Sequence, residues 1–303
     1  AAFFCLETLK TRESHAMLRI ALPNKGRLAE QSLVLFEKAG LKAESRVDRA
    51  LVANLGSEFQ ALFVRAQDIP EFVADGAADL GVTGADLVAE AGQLVSELLD
   101  LEFGRCRLAV AVREESPIRK PEELGEGTRI ATAFPRTTAA YFGELGVEIQ
   151  IASVSGAAEI APHLGVADVI VDLVSTGSTL RVNGLREIGT IMESTARLIA
   201  GTGAAEDESK GQQVAELVTA LESVLRAKRK RYLMANVPRA KLDEVKQVIP
   251  GLSGPTIVEI ENGNGWVAAH AVVDADRIYQ TITRLKALGA EGILVTPIER
   301  LMP

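Results

Sequence analysis

From Met17 onward the chain alternates short β-branched runs with stretches of helical periodicity, and this alternation restricts it to an α/β architecture built around mainly parallel strands. A strand is expected over residues 18–22, followed by the loop Pro23-Asn24-Lys25-Gly26 and a helix. In that helix Leu28, Ser32, Leu35, Phe36 and Ala39 recur at helical spacing, with Gly40 placed for a left-handed C-cap. Further units follow: a strand at 61–64, a helix at 69–75, a strand at 80–82, then Thr83-Gly84-Ala85-Asp86 opening another helix. A second α/β lobe is expected to start near Leu108, with strands at 108–112, 129–131, 148–151 and 169–171 and helices at 137–145 and 157–164. Strands near 187–191 and 197–200 are read as crossing back to the first lobe.

Residues 201–211 form a polar, glycine-bearing stretch before a long helix whose apolar stripe is Val214, Leu217, Val218, Leu221, Val224 and Leu225. Such a helix suits a linker between domains. Beyond it the expected order is strand 232–237, helix 240–248, strand 256–261, strand 266–273, helix 275–288, strand 292–296, the βαββαβ order of a ferredoxin-like domain. Trp266, between apolar neighbours, reads as core. At 303 residues one core is unlikely to serve the whole chain, so several domains are expected: a first lobe at 17–107 and 196–223, a second at 108–195, and a terminal domain at 224–303.

Composition removes several function classes. The net charge of −8 speaks against broad phosphate neutralisation, and so against nucleic acid as a partner; an anionic ligand must be gripped locally. The basic run Arg226 to Arg231 closes the long helix, where cations suit the negative end of the helix dipole. Cys5 and Cys106 offer neither a disulfide framework nor zinc-ligand spacing and fit a reducing cytoplasm, and His15, His163 and His270 are not spaced as ligands. Residues 1–16 read as a leader or an upstream start, and no uncharged apolar stretch reaches the ~18 residues of a membrane span.

The strongest chemical signal is a buried strand, 167–171, that empties through Asp172 into the loop Ser175-Thr176-Gly177-Ser178-Thr179. Gly177 allows close backbone approach, successive amides can face phosphate oxygens, and four hydroxyls add donors. A serine- and threonine-rich turn is the plain alternative. Asp172 at the strand end shifts the balance, since a carboxylate there can hold ribose hydroxyls or magnesium while the phosphate lies to its other side.

An acidic strand end followed by Thr-Gly-x-Thr resembles the phosphoribosyl pyrophosphate loop of phosphoribosyltransferases. The resemblance widens with 18–28 (LRIALPNKGRL), 79–87 (DLGVTGADL), 129–135 (RIATAFP) and 156–159 (GAAE), which are similar to signatures of the ATP phosphoribosyltransferases, in family order. That family joins ATP to phosphoribosyl pyrophosphate to open histidine biosynthesis, on two periplasmic-binding-protein-like lobes. The resemblance implies a phosphoribosyl pyrophosphate site at Asp172, Ser175, Thr176, Gly177, Ser178 and Thr179, with Glu159 as an upstream acid and Glu159 and Asp172 as ligands of Mg²⁺. It implies an ATP site at Lys25, Gly26, Arg27, Gly84 and Asp86, with Arg49, Arg65 and Arg136 as further candidates for phosphate contact. Arg136 opens a helix, a suitable anion position. Taken without the family, Glu159 is an ordinary surface acid, Lys25 and Arg27 are surface charges, and Asp86 is a helix cap.

The terminal domain matches the long form of the family, which binds histidine there, is inhibited by it, and associates as dimers and hexamers. Thr256, Val272 and Gly292 resemble residues lining that effector pocket. Two other classes share the lobed pattern: proteins that bind small solutes without turning them over, and a catalytically silent regulatory subunit.

Overall fold

The computed structural model describes residues 17–44, 51–156, 158–202, 208–261 and 263–302. Among the sequence candidates Arg49 lies outside these residues. Two compact units divide the chain, one made of described residues up to Ser32 together with Lys42–Gly211, the other of Leu33–Leu41 together with the chain from Gln212 on.

The first unit holds two sheets. In the first, β1 (Leu18–Pro23) is buried at every position but Arg19, as a strand covered on both faces must be. Parallel partners flank it: β3 (Phe59–Val64) on one side and β4 (Leu80–Gly84) on the other. The sheet is completed by β2 (Val52–Leu55), β5 (Val95–Asp100) and β11 (Ala196–Gly201), giving the order β2-β3-β1-β4-β11-β5. Three helices follow strands in it, α1 (Gly26–Lys38), α2 (Ile69–Ala74) and α3 (Ala85–Ala91). Gly26, at φ +78°, supplies a left-handed turn into α1 that a side chain would strain.

The second sheet contains β6 (Cys106–Arg113), β7 (Thr128–Thr132), β8 (Ile149–Ser153), β9 (Val169–Val174) and β10 (Leu185–Ser194), in the order β10-β6-β9-β7-β8. Strands β7, β8 and β9 run parallel, β6 runs against β9, and α4 (Pro135–Leu145) and the short α5 (Ser178–Val182) follow β7 and β9. Two expectations change here. Only β11 returns to the first sheet: β10 stays in the second, antiparallel to β6 along its whole length. The helix expected at 157–164 is reduced to a 3-10 turn at Ala158–Ile160, because Pro162 has no amide to donate and disfavours helical backbone at the residue before it.

The helix α6 (Glu208–Lys228) starts in the first unit and, from Gln212 on, belongs to the second, where it leads into β12 (Lys230–Pro238), α7 (Leu242–Val248), β13 (Thr256–Glu259), β14 (Trp266–Asp274), α8 (Ile278–Ala287) and β15 (Glu291–Pro297). The sheet order β13-β14-β12-β15, antiparallel throughout, is the expected βαββαβ fold. On β14 Val267, Ala269, Ala271 and Val273 are buried in the domain core with Val245 and Leu285 from the helices, so Trp266, Ala268, His270 and Val272 occupy the opposite face. Trp266 is therefore only half-buried and belongs to the open face of the sheet, not to the core expected for it. The chain end folds back within this unit: Arg300 Nε donates to the Lys38 carbonyl at 2.9 Å, closing the last turn of α1.

Candidate functional site

Strand β9 delivers the loop at its carboxyl end. Its inner residues Val169, Ile170 and Val171 are buried, Asp172 is half-buried, and Ser175, Thr176, Ser178 and Thr179 are exposed. Gly177 adopts φ +74° and starts α5, a conformation that brings the following amides to one side of the loop. The Thr176 and Ser178 hydroxyls lie 3.0 Å apart, and the Thr176 hydroxyl also accepts the Ser178 amide at 3.4 Å; both residues are exposed. Asp172 Oδ1 accepts the Leu173 amide at 2.7 Å. Burial nonetheless pushes the Asp172 carboxyl above its usual range, and the negative charge of Glu159 pushes it the same way, against the lowering effect of the Leu173 amide. Asp172 is thus within electrostatic reach of Glu159, and among the described residues no basic side chain is paired with Asp172. Carboxylates such as these can accept from hydroxyls or bind a cation, and the amides and hydroxyls of the adjoining loop are donors of the kind a phosphate takes.

The first sheet presents a contrasting edge. Lys25, Gly26 and Arg27 are exposed just past the carboxyl end of β1, and Arg65 is exposed just past β3, whose Val64 pairs with Pro23 of β1. Among the described residues none of these three cations takes an acidic partner. The edge therefore carries local positive charge on an acidic protein, which suits a polyphosphate.

Gly84 and Asp86 behave differently. Gly84 is buried at the end of β4, and Asp86 is 4% exposed with its carboxylate engaged by the Ser194 hydroxyl, which also accepts the Asp86 amide at 3.1 Å. Asp86 is tied to the end of β10 instead of facing solvent. The start of α4 is likewise occupied: Glu90 accepts the amides of Arg136 and Thr137, each at 2.9 Å, and the Thr137 hydroxyl at 2.8 Å. The anion expected beside Arg136 is thus a carboxylate of the chain itself. Ser194 and Glu90 carry no sequence signal, because their partners lie 108 and about 46 residues away.

Comparison with known proteins now adds to this geometry. The family model described as "ATP phosphoribosyltransferase" matches residues 65–223, and one described as "HisG, C-terminal domain" matches residues 227–300. A relative named ATP phosphoribosyltransferase from Gemmatimonas aurantiaca is 60% identical over 292 residues, covering 95% of this chain and 100% of the relative. The chain belongs to the ATP phosphoribosyltransferase family. A further relative of that name, from Methanosarcina acetivorans, is 49% identical over 295 residues, covering 95% of this chain and 100% of the relative. Among solved structures, an ATP phosphoribosyl transferase (HisG:HisZ) complex from Thermotoga maritima superposes with a TM-score of 0.61 at 28% identity, covering 69% of this chain and 99% of that one. As an ATP phosphoribosyltransferase the chain is an enzyme of the glycosyltransferase class, serving the first step of histidine biosynthesis. No helix among the described residues is long and apolar enough to cross a membrane.

In this ATP phosphoribosyltransferase the three effector candidates do not converge within one sheet. Thr256 pairs with His270, two residues from Val272, so both lie on the open face of β13 and β14. Gly292 is at the far edge, on β15, at φ +57° beside a register shift. It lines a cavity of about 400 Å³ with Ile282, Lys286, Ala290, Glu291 and Ile293. Three strand spacings, roughly 14 Å, separate that edge from β13.

Proposed function

We propose that this enzyme condenses ATP with phosphoribosyl pyrophosphate to N1-(5-phosphoribosyl)-ATP and pyrophosphate, with the phosphoribosyl group held at Asp172, Glu159 and 175–179 and the ATP phosphates held at Lys25, Gly26, Arg27 and Arg65. The observation that carries the reading is the exposed hydroxyl loop beside Asp172, a half-buried acid that feels the charge of Glu159. Adenine N1 is a nucleophile without losing a proton, so the reaction needs no general base. It displaces pyrophosphate at the anomeric carbon with inversion, and catalysis rests on orientation and on stabilising charge as the pyrophosphate departs. Asp172 and Glu159 hold ribose hydroxyls and favour positive charge on the ring, while loop amides hold the phosphate. Asp86 supports the ATP side indirectly, by fixing the turn after β4.

Mg²⁺ fits Asp172 and Glu159, whose facing charges it would relieve; it supplies charge neutralisation at the pyrophosphate. No group of three acids, histidines or cysteines capable of holding a metal exists among the described residues, so the remaining ligands would come from water and substrate oxygens. Histidine inhibits through the terminal domain, and the separation of Thr256 and Val272 from Gly292 fits an effector site completed by association of chains as dimers and hexamers in the cytoplasm.

The test is pyrophosphate release by purified protein supplied with ATP, phosphoribosyl pyrophosphate and Mg²⁺, with histidine then titrated in. Turnover that needs both substrates and falls with histidine is the expected result. Turnover indifferent to histidine would remove the regulatory half of the proposal, and no turnover would remove the catalytic half.

A further inference from the structure

Arg107 is a cation at the head of a strand whose middle, 108–112, is apolar and buried, and the proposed reaction does not use it. Its strand, β6, places it opposite Val174, the residue before the loop. The guanidinium is gripped by Glu187 of β10: Nε lies 2.9 and 3.0 Å from the two carboxylate oxygens, and Nη2 lies 2.6 Å from one of them. The Thr190 hydroxyl holds the same carboxylate at 2.9 Å. This grip draws the Glu187 carboxyl below its usual range, so the pair stays ionised. With Nε and Nη2 fixed, the planar fork has one direction left for Nη1, and Nη1 points at the Ser175 carbonyl, 3.4 Å away.

The consequence follows from peptide geometry. In a planar trans peptide C=O and N–H point in opposite directions, so holding the Ser175 carbonyl toward β6 turns the Thr176 N–H away from it, into the loop. Gly177 then continues the turn at φ +74°. We infer that Arg107, held by Glu187 and Thr190, is a positioning residue that aims the first amide of the phosphate loop at the phosphoribosyl ligand. The inference rests on the loop being the phosphoribosyl site, as proposed above. Two strands that flank β9 on one side would thereby set the geometry of a loop that neither of them contains.

The experiment compares wild type, Arg107→Met, Arg107→Lys and the double variant Arg107→Met with Glu187→Met, measuring kcat and KM for each substrate, unfolding midpoints, and calorimetric binding of ribose 5-phosphate. Arg107→Met should raise KM for phosphoribosyl pyrophosphate and weaken ribose 5-phosphate by about tenfold, the scale of one lost charge-assisted hydrogen bond, with KM for ATP within about twofold. Arg107→Lys keeps the charge but loses the fork and should recover only part. The double variant removes the stranded Glu187 charge and should regain stability without regaining phosphoribosyl affinity. If affinity returns with stability, or if both KM values rise together, Arg107 is merely structural and the inference fails. A wild-type protein that does not turn over both substrates would instead sink the proposed function.

Discussion

The turn after β9 and the turn after β4 look alike in sequence: each sets a glycine among small residues within five positions of an aspartate, Asp172 before Gly177 in one and Asp86 after Gly84 in the other. In the structure they diverge. Asp172 stands half-buried next to another acid and an exposed hydroxyl loop, whereas Asp86 is sealed in and answered by Ser194. An acid at a strand-to-helix turn is available to a ligand only where the fold leaves part of its carboxylate uncommitted, as at Asp172, whose one partner among the described residues is the Leu173 amide on Oδ1. A buried acid that has its own donor is part of the frame.

The sharpest way to break this contrast is to remove each acid in turn. Asp172→Asn should lower kcat/KM for phosphoribosyl pyrophosphate by about 10- to 100-fold, the scale of a charge-assisted hydrogen bond, with no fall in the unfolding midpoint at neutral pH, since it removes a carboxylate whose burial disfavours the charge. Unaltered kinetics would take Asp172 out of the site. Asp86→Ala should instead cost stability, about 1–3 kcal/mol, because the Ser194 hydroxyl is left buried without its acceptor. A selective rise in KM for ATP at normal stability would show that Asp86 contacts nucleotide after all.

A third test concerns titration. The folded state holds the Asp172 proton more tightly than the unfolded chain, so this group favours folding at low pH. That contribution is lost as pH rises through the raised folded value. In activity, KM for phosphoribosyl pyrophosphate should climb as pH falls through a window above the ordinary aspartate range. Glu159→Gln, which removes one of the two raising influences, should move that inflection downward; an unmoved inflection would dissociate the two acids. The smallest effect is expected of Glu90→Gln, which trades a charged cap on α4 for a neutral one. It should reduce stability by about 0.3–1 kcal/mol in denaturant unfolding, and less at high salt.

The strand, glycine turn and short helix at 169–182 and the terminal βαββαβ domain are legible in the sequence because local pattern determines them: strand, acid, glycine and hydroxyls in one run, or alternation with period two beside helices with period 3.6. The edge strands β2 and β5 are not. β2 is only four residues long, and β5 (VSELLD) carries charge along an edge that needs little burial. The 3-10 turn at Ala158–Ile160 was read as a helix because its alanines outweighed Pro162. Arg107, Glu187, Ser194 and Glu90 stayed invisible as a set for one reason. Each matters only through a residue far away in the chain, and a single sequence records no pairing. For Arg107 a hint existed, a charge at the head of the apolar run CRLAVAVR.

The passage from β10 to β11 has a mechanical meaning. Ser194 is the last residue of the second sheet and Ala196 the first residue of its return to the first, so Thr195 alone spans the gap, its hydroxyl on Asp100 at 2.8 Å. The companion crossing is stitched alongside, with Leu101 N–H on the Ala196 carbonyl and Ala196 N–H on the Phe103 carbonyl, both at 2.9 Å. One residue offers at most ~3.6 Å of chain. The two sheets of the first unit therefore have torsion but no slack. At this spine the sheets are bound edge to edge like the boards of a book, and Asp86, clasped to Ser194, is a rivet in the binding.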